Sequence, residues 1–214
     1  MTTKIIKEAC IGSLETAQAY LETDKIHLID RIETCSALDQ GGLTPDLKLF
    51  QYIKAKAIPQ VVMIRRSNNF VLQSAREVTW LQADLKFYLS HGAKEFIFGF
   101  LDDEQKIDVA TCKSLIKTIQ QYGQGDEKWN FHMAIDAVED YDQAFQTLIE
   151  LQFQRVLTKG GLQPAMHNLE QLKILNAKYG QQIQILVGGQ VTKDNYQKIC
   201  QATGIKQAHG RLIA

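Results

Sequence analysis

The segment QVVMI at Gln60–Ile64 is a short, almost entirely apolar run, and Val78, Leu81, Leu85 and Leu89 recur at helical spacing soon after it. A short apolar run has the length of a buried strand, whereas that spacing places side chains on one face of a helix. The same unit of a strand and then a helix recurs along the chain. Regular alternation of this kind is typical of a parallel sheet covered by helices.

Eight strand-like runs can be counted outward from this unit, with helical segments between them. The runs are Ile5–Cys10, Ile26–Glu33, Gln60–Ile64, Glu95–Phe98, Trp129–Met133, Arg155–Leu157, Ile183–Val187 and Ile205–His209. Eight such units make a TIM barrel, and their even spacing favours a closed barrel over an open doubly wound sheet. We therefore predict an α/β fold, a (β/α)8 TIM-barrel-like domain with parallel strands that spans residues 1–214.

The last predicted strand leaves little sequence for a helix after it. The chain has 214 residues, against about 250 in a typical TIM barrel. We therefore expect the eighth helix to be missing or truncated, which would leave the sides of the eighth and first strands partly uncovered. Because exposed apolar surface commonly marks an interface, we expect a homodimer or larger homo-oligomer to cover this gap.

Charge and composition exclude several classes of protein. The chain has 24 Lys and Arg residues against 24 Asp and Glu residues, so its formal net charge is zero. Nucleic acids and anionic membranes attract clustered positive charge, and we expect neither as the main partner. No apolar run approaches the roughly 20 residues of a membrane span, and the N-terminus lacks the apolar core of a signal peptide. The four separated cysteines indicate reduced thiols, so we expect a cytoplasmic protein.

Polar side chains collect at the predicted carboxyl ends of the strands, where TIM barrels hold their active sites. Glu8, Glu33, His132 and Asp136 are candidates for acid–base catalysis, because carboxylates and imidazoles exchange protons readily. As an alternative, the glutamates form ion pairs with arginines that fill the barrel, and His132 is an ordinary core residue.

Arginines and glycines at the same strand ends indicate an anion site for a small phosphate- or carboxylate-bearing molecule. The candidate anion-binding residues are Arg31, Arg65, Arg66, Thr158, Gly188, Gly189 and His209. The glycine pair precedes a predicted helix, whose N-terminal N–H groups can bind an anion, and Arg211 could reinforce that site. Adjacent glycines are also common in tight turns, which is the alternative interpretation.

Cys10 and Cys35 lie on neighbouring predicted strands. Thiolates are soft ligands suited to Cu(I), so the two residues are a candidate copper site, with His132 as a candidate nitrogen ligand. Free cysteines are also common as small core residues, and this is the role predicted for Cys112 and Cys200 on helices.

Several of these segments resemble the CutC family, whose members are usually called copper homeostasis proteins. The family pattern RIELC followed by GGLTPS is similar to RIETC at 31–35 and GGLTP at 41–45. The pattern FH-x-AFD resembles FHMAID at 131–136, and RILT-x-G resembles RVLTKG at 155–160. The resemblance spans nearly the whole chain. It implies a TIM-barrel-like fold, a cytoplasmic homo-oligomer and a link to copper.

The chain departs from the family pattern in two places. The family segment MIRPRGGDF is similar to MIRRSNNF at 63–70, but one residue is missing, apparently the proline, and the aspartate is replaced by Asn69. The third glycine of the family's GGGV is Gln190. An amide cannot act as a general base, so we expect a weakened or altered family site here.

Three functions follow from these residues. The first, which the resemblance favours, is a copper-handling protein that holds Cu(I) at Cys10 and Cys35. The second is a barrel enzyme that uses Glu and His acid–base chemistry on a small anionic metabolite. The third is a structural or interaction protein with a vestigial site. The sequence names no substrate or reaction, and it does not decide whether the protein is an enzyme.

Overall fold

A computed structural model describes residues 4–214, in which eight parallel strands form a closed barrel and seven α-helices surround it. The strands are β1 (Ile6–Ile11), β2 (Arg31–Thr34), β3 (Gln60–Met63), β4 (Glu95–Phe98), β5 (Lys128–Phe131), β6 (Arg155–Thr158), β7 (Gln184–Val187) and β8 (Gln207–Gly210). The helices are α1 (Leu14–Leu21), α2 (Leu47–Ala55), α3 (Ala75–Ser90), α4 (Val109–Tyr122), α5 (Tyr141–Glu150), α6 (Leu169–Tyr179) and α7 (Tyr196–Thr203). The TIM-barrel-like prediction and the missing eighth helix are confirmed.

Polar residues define where several helices begin. Ser13, Asp46, Asp108 and Asp140 each accept a hydrogen bond from a backbone N–H in the first turn of the helix that follows. Such caps satisfy donors that have no partner within the helix. None of the helices in residues 4–214 combines the length and apolar character that a membrane span needs.

The predicted second strand began too early. The prediction was Ile26–Glu33, whereas β2 begins at Arg31 and Asp24–Leu28 forms a 3₁₀ helix. Leu28 is 48% exposed, so the apolar residues before β2 do not mark a buried strand.

Strand register sets two levels inside the barrel. Glu8 pairs with Arg31 on one side and with His209 on the other, so these three residues share a level. Cys10 pairs with Glu33 one step nearer the carboxyl ends of the strands. Because side chains alternate along a strand, all of these point to the barrel interior while the intervening residues pack against the helices.

The gap left by the eighth helix is smaller than predicted. Ala9 of β1 and Ala208 of β8 are fully buried, in the same apolar cluster as Leu21 of α1 and Ile199 of α7. Small outward-facing residues let α1 and α7 close over both strands. A groove of about 640 Å³ remains at the amino ends of β1 and β8, and it includes Ile5.

Candidate functional site

A pocket of about 670 Å³ opens at the carboxyl ends of the strands. Cys10, Glu33 and His209 line it from within the barrel, and the loops after β2, β3, β5, β6, β7 and β8 complete its walls. Sites for small organic ligands commonly have this size and this mixture of apolar walls with a few polar groups.

Beneath this pocket, Glu8 forms ion pairs with Arg31 and His209. One carboxylate oxygen contacts Arg31 Nε, and the other lies 2.8 Å from His209 Nδ1. Arg31 also donates to Gln207 Oε1 across 3.0 Å. Neither Glu8 nor Arg31 lines the pocket, although the sequence suggested both as site residues. Their charges are compensated inside the barrel.

The ion pairs shift the pKa values of Glu8 and His209 in opposite directions. Burial by itself raises the pKa of Glu8, but Arg31 and His209 outweigh it and hold that pKa well below its usual range. Burial by itself lowers the pKa of His209, but Glu33, Cys10 and Glu8 raise it well above its ordinary value. Each charged form therefore stabilises the other.

The two predicted thiol ligands meet at the base of the pocket. Cys10 Sγ lies 3.6 Å from Cys35 Sγ and 3.5 Å from Glu33 Oε1. One ligand atom from each of Cys10, Glu33 and His209 lies within 4.8 Å of the others. Cys10 lines the pocket, whereas Cys35 is fully buried behind it. The histidine in this group is His209 rather than His132.

The Cys10 thiol and the Glu33 carboxyl, at the base of the pocket, both have raised pKa values. The hydrogen bond with Cys35, burial and the charge of Glu33 raise the pKa of Cys10 well above its ordinary value. Burial raises the pKa of Glu33, while His209 opposes this shift and Glu8 adds to it. Glu33 Oε2 has no hydrogen-bond partner within residues 4–214, so it remains available to take up or release a proton.

Arg65 follows β3 and lies at the pocket wall, 5% exposed. It donates through Nη1 to Gly41 O at 3.5 Å and through Nη2 to Asn68 O at 2.5 Å, and its guanidinium lies 4.8 Å from the centroid of the Phe70 ring. Its Nε has no partner in the described part of the chain. Burial lowers the pKa of Arg65, as expected for a charge that has no carboxylate beside it.

Arg66 does not join Arg65 at the pocket. It is exposed, and it contacts Asp84 on α3 twice, since its Nε donates to Oδ2 at 2.7 Å and its Nη2 contacts Oδ1. Adjacent residues at the end of a strand point in opposite directions, which separates the two arginines. The predicted anion-binding role of Arg66 therefore has no support from its position.

His132 presents an unpaired ring nitrogen. Its Nδ1 accepts a hydrogen bond from Ala134 N at 3.2 Å, so the proton of the neutral ring belongs on Nε2. Among the described residues Nε2 has no partner, although the side chain is only 3% exposed and lines the pocket. Burial and the nearby Arg65 lower the pKa of His132 to about 3. The residue is thus placed as a neutral hydrogen-bond donor.

Asp136 lines the pocket, but its carboxylate is occupied by the loop after β6. It accepts hydrogen bonds from Thr158 Oγ1, from Tyr141 Oη at 3.1 Å and from the backbone N–H groups of Lys159 and Gly161. Burial raises the pKa of Asp136, and the hydrogen bond from Thr158 opposes that shift. Thr158 does not line the pocket, so this pair orders the loop rather than facing a ligand.

The predicted glycine pair follows β7. A Cβ on Gly188 would lie 2.5 Å from Met133 Cε and 2.8 Å from Leu157 Cδ1, so a larger residue there would have to displace these two side chains. Gly189 lines the pocket with a φ of +81°, and Gln190 follows with a φ of +60°. Gln190 therefore keeps the left-handed backbone that the glycine of the family pattern would adopt freely.

Phe70 and Lys159 line the pocket but were not among the candidate site residues, and Arg211 was given only a supporting role. Phe70 stacks beside Arg65, and Lys159 reaches the rim from the end of β6. Lys159 could have been found from its position, because it directly follows a predicted strand. Phe70 could not, since it lies in a loop whose path the sequence does not specify.

A closed barrel of eight parallel strands with a pocket at their carboxyl ends defines a TIM-barrel-like protein. The chain belongs to the CutC family, whose model matches residues 5–214. It is 34% identical over 205 residues to the human copper homeostasis protein cutC homolog, covering 95% of this chain and 72% of that one.

Two bacterial relatives agree with this assignment. The chain is 35% identical over 204 residues to a CutC family protein of Treponema denticola, covering 94% of this chain and 79% of that protein. A crystal structure of a CutC protein from Streptococcus agalactiae superposes with a TM-score of 0.88 at 33% identity, covering 98% of this chain and 100% of that one.

Proposed function

We propose that this copper homeostasis family member binds Cu(I) as its cargo at Cys10 and Cys35. The observation that carries the proposal is the 3.6 Å separation of the two thiol sulfurs at the base of an open pocket. Two thiolates form a soft donor set, which suits Cu(I) better than Mg²⁺ or Ca²⁺. The residues present therefore fit the ion that the family name implies.

Binding has to displace the thiol protons, because thiolates are the metal ligands. Glu33 is placed to receive the proton of Cys10, since its Oε1 lies 3.5 Å from Cys10 Sγ and its Oε2 is free among the described residues. The positive charge of His209 favours the thiolate of Cys10. Cys10 is the point of entry, since it lines the pocket while Cys35 lies behind it.

Anaerobic titration with Cu(I) against a competing chelator tests this proposal. We expect Cys10→Ser and Cys35→Ser each to weaken Cu(I) binding by at least about 100-fold, because losing even an outer-shell partner of a metal ligand costs about 10–100-fold. Cys200→Ser is the matched control, because Cys200 is a free, buried thiol on α7 away from the pocket. Unchanged Cu(I) affinity in the Cys10 and Cys35 double variant would rule the proposal out.

The location and assembly of the protein belong to the same proposal. We place it in the cytoplasm, where reducing conditions keep Cys10 and Cys35 as thiols. A homodimer or larger homo-oligomer remains our proposal for its assembly. Small-angle scattering at micromolar concentration tests it, and a purely monomeric species would contradict it.

The pocket also supports a second function, an enzyme acting on a small anionic metabolite. A volume of about 670 Å³ exceeds what a single metal ion requires, and Glu33 offers a free oxygen beside it. Glu33 would then be the acid–base group. His132 would donate a hydrogen bond through Nε2, because its lowered pKa of about 3 makes it a weak base.

Proton exchange in D₂O tests the second function. A panel of small phosphorylated and carboxylated metabolites is incubated with the protein, and deuterium incorporation is followed by NMR. We expect Glu33→Gln to slow any exchange by about 100-fold or more. Exchange that is absent from the wild type, or unchanged in Glu33→Gln, would contradict this role.

A further inference from the structure

Two unpaired hydrogen-bond donors converge beside Phe70 at the β3 side of the pocket. Arg65 Nε and His132 Nε2 both lack a partner within residues 4–214, and both side chains are at least nine-tenths buried. The Phe70 ring lies 4.8 Å from the Arg65 guanidinium and 5.4 Å from the His132 ring. We call Arg65, His132 and Phe70 the Arg65 pole.

A second cation lines the opposite side of the same pocket. In a barrel closed in sequence order, β7 lies across from β3. Lys159 stands against Gly189 after β7, where a Cβ on the glycine would fall 2.6 Å from Lys159 Cβ. Arg211 also lines the pocket, but its guanidinium contacts Leu38 O in the loop after β2, so it does not belong to this side. We call Lys159 the Lys159 pole.

None of the cations at the two poles forms a salt bridge with a carboxylate of the described chain. Arg65 donates to Gly41 O and Asn68 O, and Lys159 Nζ donates to Leu162 O at 2.9 Å. Arg65 is buried and Lys159 is half-buried, and the carboxylate near Lys159, that of Asp136, is occupied by other hydrogen bonds. Such cations favour a ligand that supplies a counter-charge.

We propose that the pocket binds a small organic dianion, with a carboxylate at the Arg65 pole and a second carboxylate or a phosphate at the Lys159 pole. A carboxylate at the Arg65 pole would supply the counter-charge that Arg65 lacks and an acceptor for His132 Nε2. The Lys159 pole is more exposed, which suits a strongly hydrated group. Met63 and Leu157 line the space between the poles and would contact the ligand's carbon chain. This inference names the substrate class of the second function proposed above.

Calorimetry with defined probes tests the two-pole site. The full chain is titrated with the dicarboxylates from malonate to adipate, with ω-phosphonocarboxylates of the same lengths and with the matching monocarboxylates. We expect at least one dianion to bind roughly tenfold or more tightly than its monocarboxylate, since each charge-assisted hydrogen bond contributes that order of affinity. Comparing the two series of dianions shows whether the Lys159 pole binds a carboxylate or a phosphate-like group more tightly.

Two variants test whether each pole binds one end of the dianion. We expect Arg65→Gln and Lys159→Gln each to reduce dianion affinity roughly tenfold, to the level of a monocarboxylate. Arg76→Gln is the matched control, because Arg76 is exposed on α3 and stacks on Trp80. If Arg65→Gln unfolds, the ¹⁵N shift of His132 Nε2 on adding the dianion to the wild type gives the same information.

The inference fails if no dianion binds more tightly than its monocarboxylate, if Lys159→Gln binds as wild type, or if His132 Nε2 does not respond to the probe. These outcomes are separable from failure of the other proposals. Dianion binding that persists in the Cys10 and Cys35 double variant is independent of copper. Binding without deuterium exchange would keep this site while removing the catalytic role of Glu33.

Discussion

Two groups in the barrel each contain one glutamate, one arginine and one histidine, but only one of the groups is ion-paired. Glu8, Arg31 and His209 form one ion-paired group, whereas Glu33, Arg65 and His132 each present an unpaired polar atom near the pocket. All six side chains are buried. Burial alone therefore does not distinguish the two groups; the presence of an internal ion-pair partner does.

The pKa values follow the same division. Glu8 and Glu33 are 1% and 2% exposed, yet Arg31 and His209 lower the pKa of Glu8 while burial raises that of Glu33. The histidines differ in the opposite sense, since the pKa of His209 is raised and that of His132 is lowered to about 3. A compensated charge supports the fold, and an uncompensated one is available to a ligand.

The largest expected effect on stability comes from comparing variants of the two glutamates. Glu8→Gln leaves the Arg31 guanidinium buried without a counter-charge, so we expect a loss of about 3–5 kcal/mol in the free energy of unfolding. Glu33→Gln breaks no salt bridge and removes a buried carboxylate whose pKa burial already raises, so we expect a clearly smaller loss. Urea denaturation of both variants checks this. Equal losses would mean that the two carboxyl groups do not differ as described.

The histidines give a pH-dependent test. The folded-state pKa of His132 is about 3, below the ordinary value of 6.5, so between these values the unfolded chain binds a proton that the folded chain does not. Stability should therefore fall as the pH falls through this window. From pH 6.5 to about 5, we expect the wild type to lose about 2 kcal/mol more than His132→Gln. Parallel stability curves for the two proteins would contradict this.

Backbone strain at the pocket wall gives a smaller test. Gln190 has a φ of +60°, where a side chain costs energy that glycine avoids. Gln190→Gly also increases the freedom of the unfolded chain, so we expect a net gain of at most about 1 kcal/mol. Thermal denaturation measures it. Clear destabilisation would show that the Gln190 side chain contributes to the pocket wall.

The smallest effect is expected outside the barrel. Arg66 is exposed, so removing its pair with Asp84 in Arg66→Gln should change stability by less than about 1 kcal/mol. Salt should reduce even this effect, because exposed ion pairs are screened. Denaturation at low and high salt checks both points. A larger loss would indicate that Arg66 also holds the loop after β3.

Much of the fold could be predicted from local sequence. Apolar runs alternating with helical periods predicted eight βα units, and the shortage of sequence after the last run predicted the missing helix. The second strand was placed too early, because an apolar run at 26–28 has the composition of a strand without the burial. The covered sides of β1 and β8 were also missed, since the approach of α1 and α7 depends on packing between distant segments.

The sequence by itself determined the closed barrel, the end at which polar residues gather and the thiol pair on neighbouring strands, because each depends on local period and chain order. Only the tertiary structure decided which of those residues are paired. Glu8 and His209 are 201 residues apart, yet they share one level of the barrel and a hydrogen bond. Closure of the barrel brings such partners together, and the energy of a buried charge depends on which neighbours closure supplies.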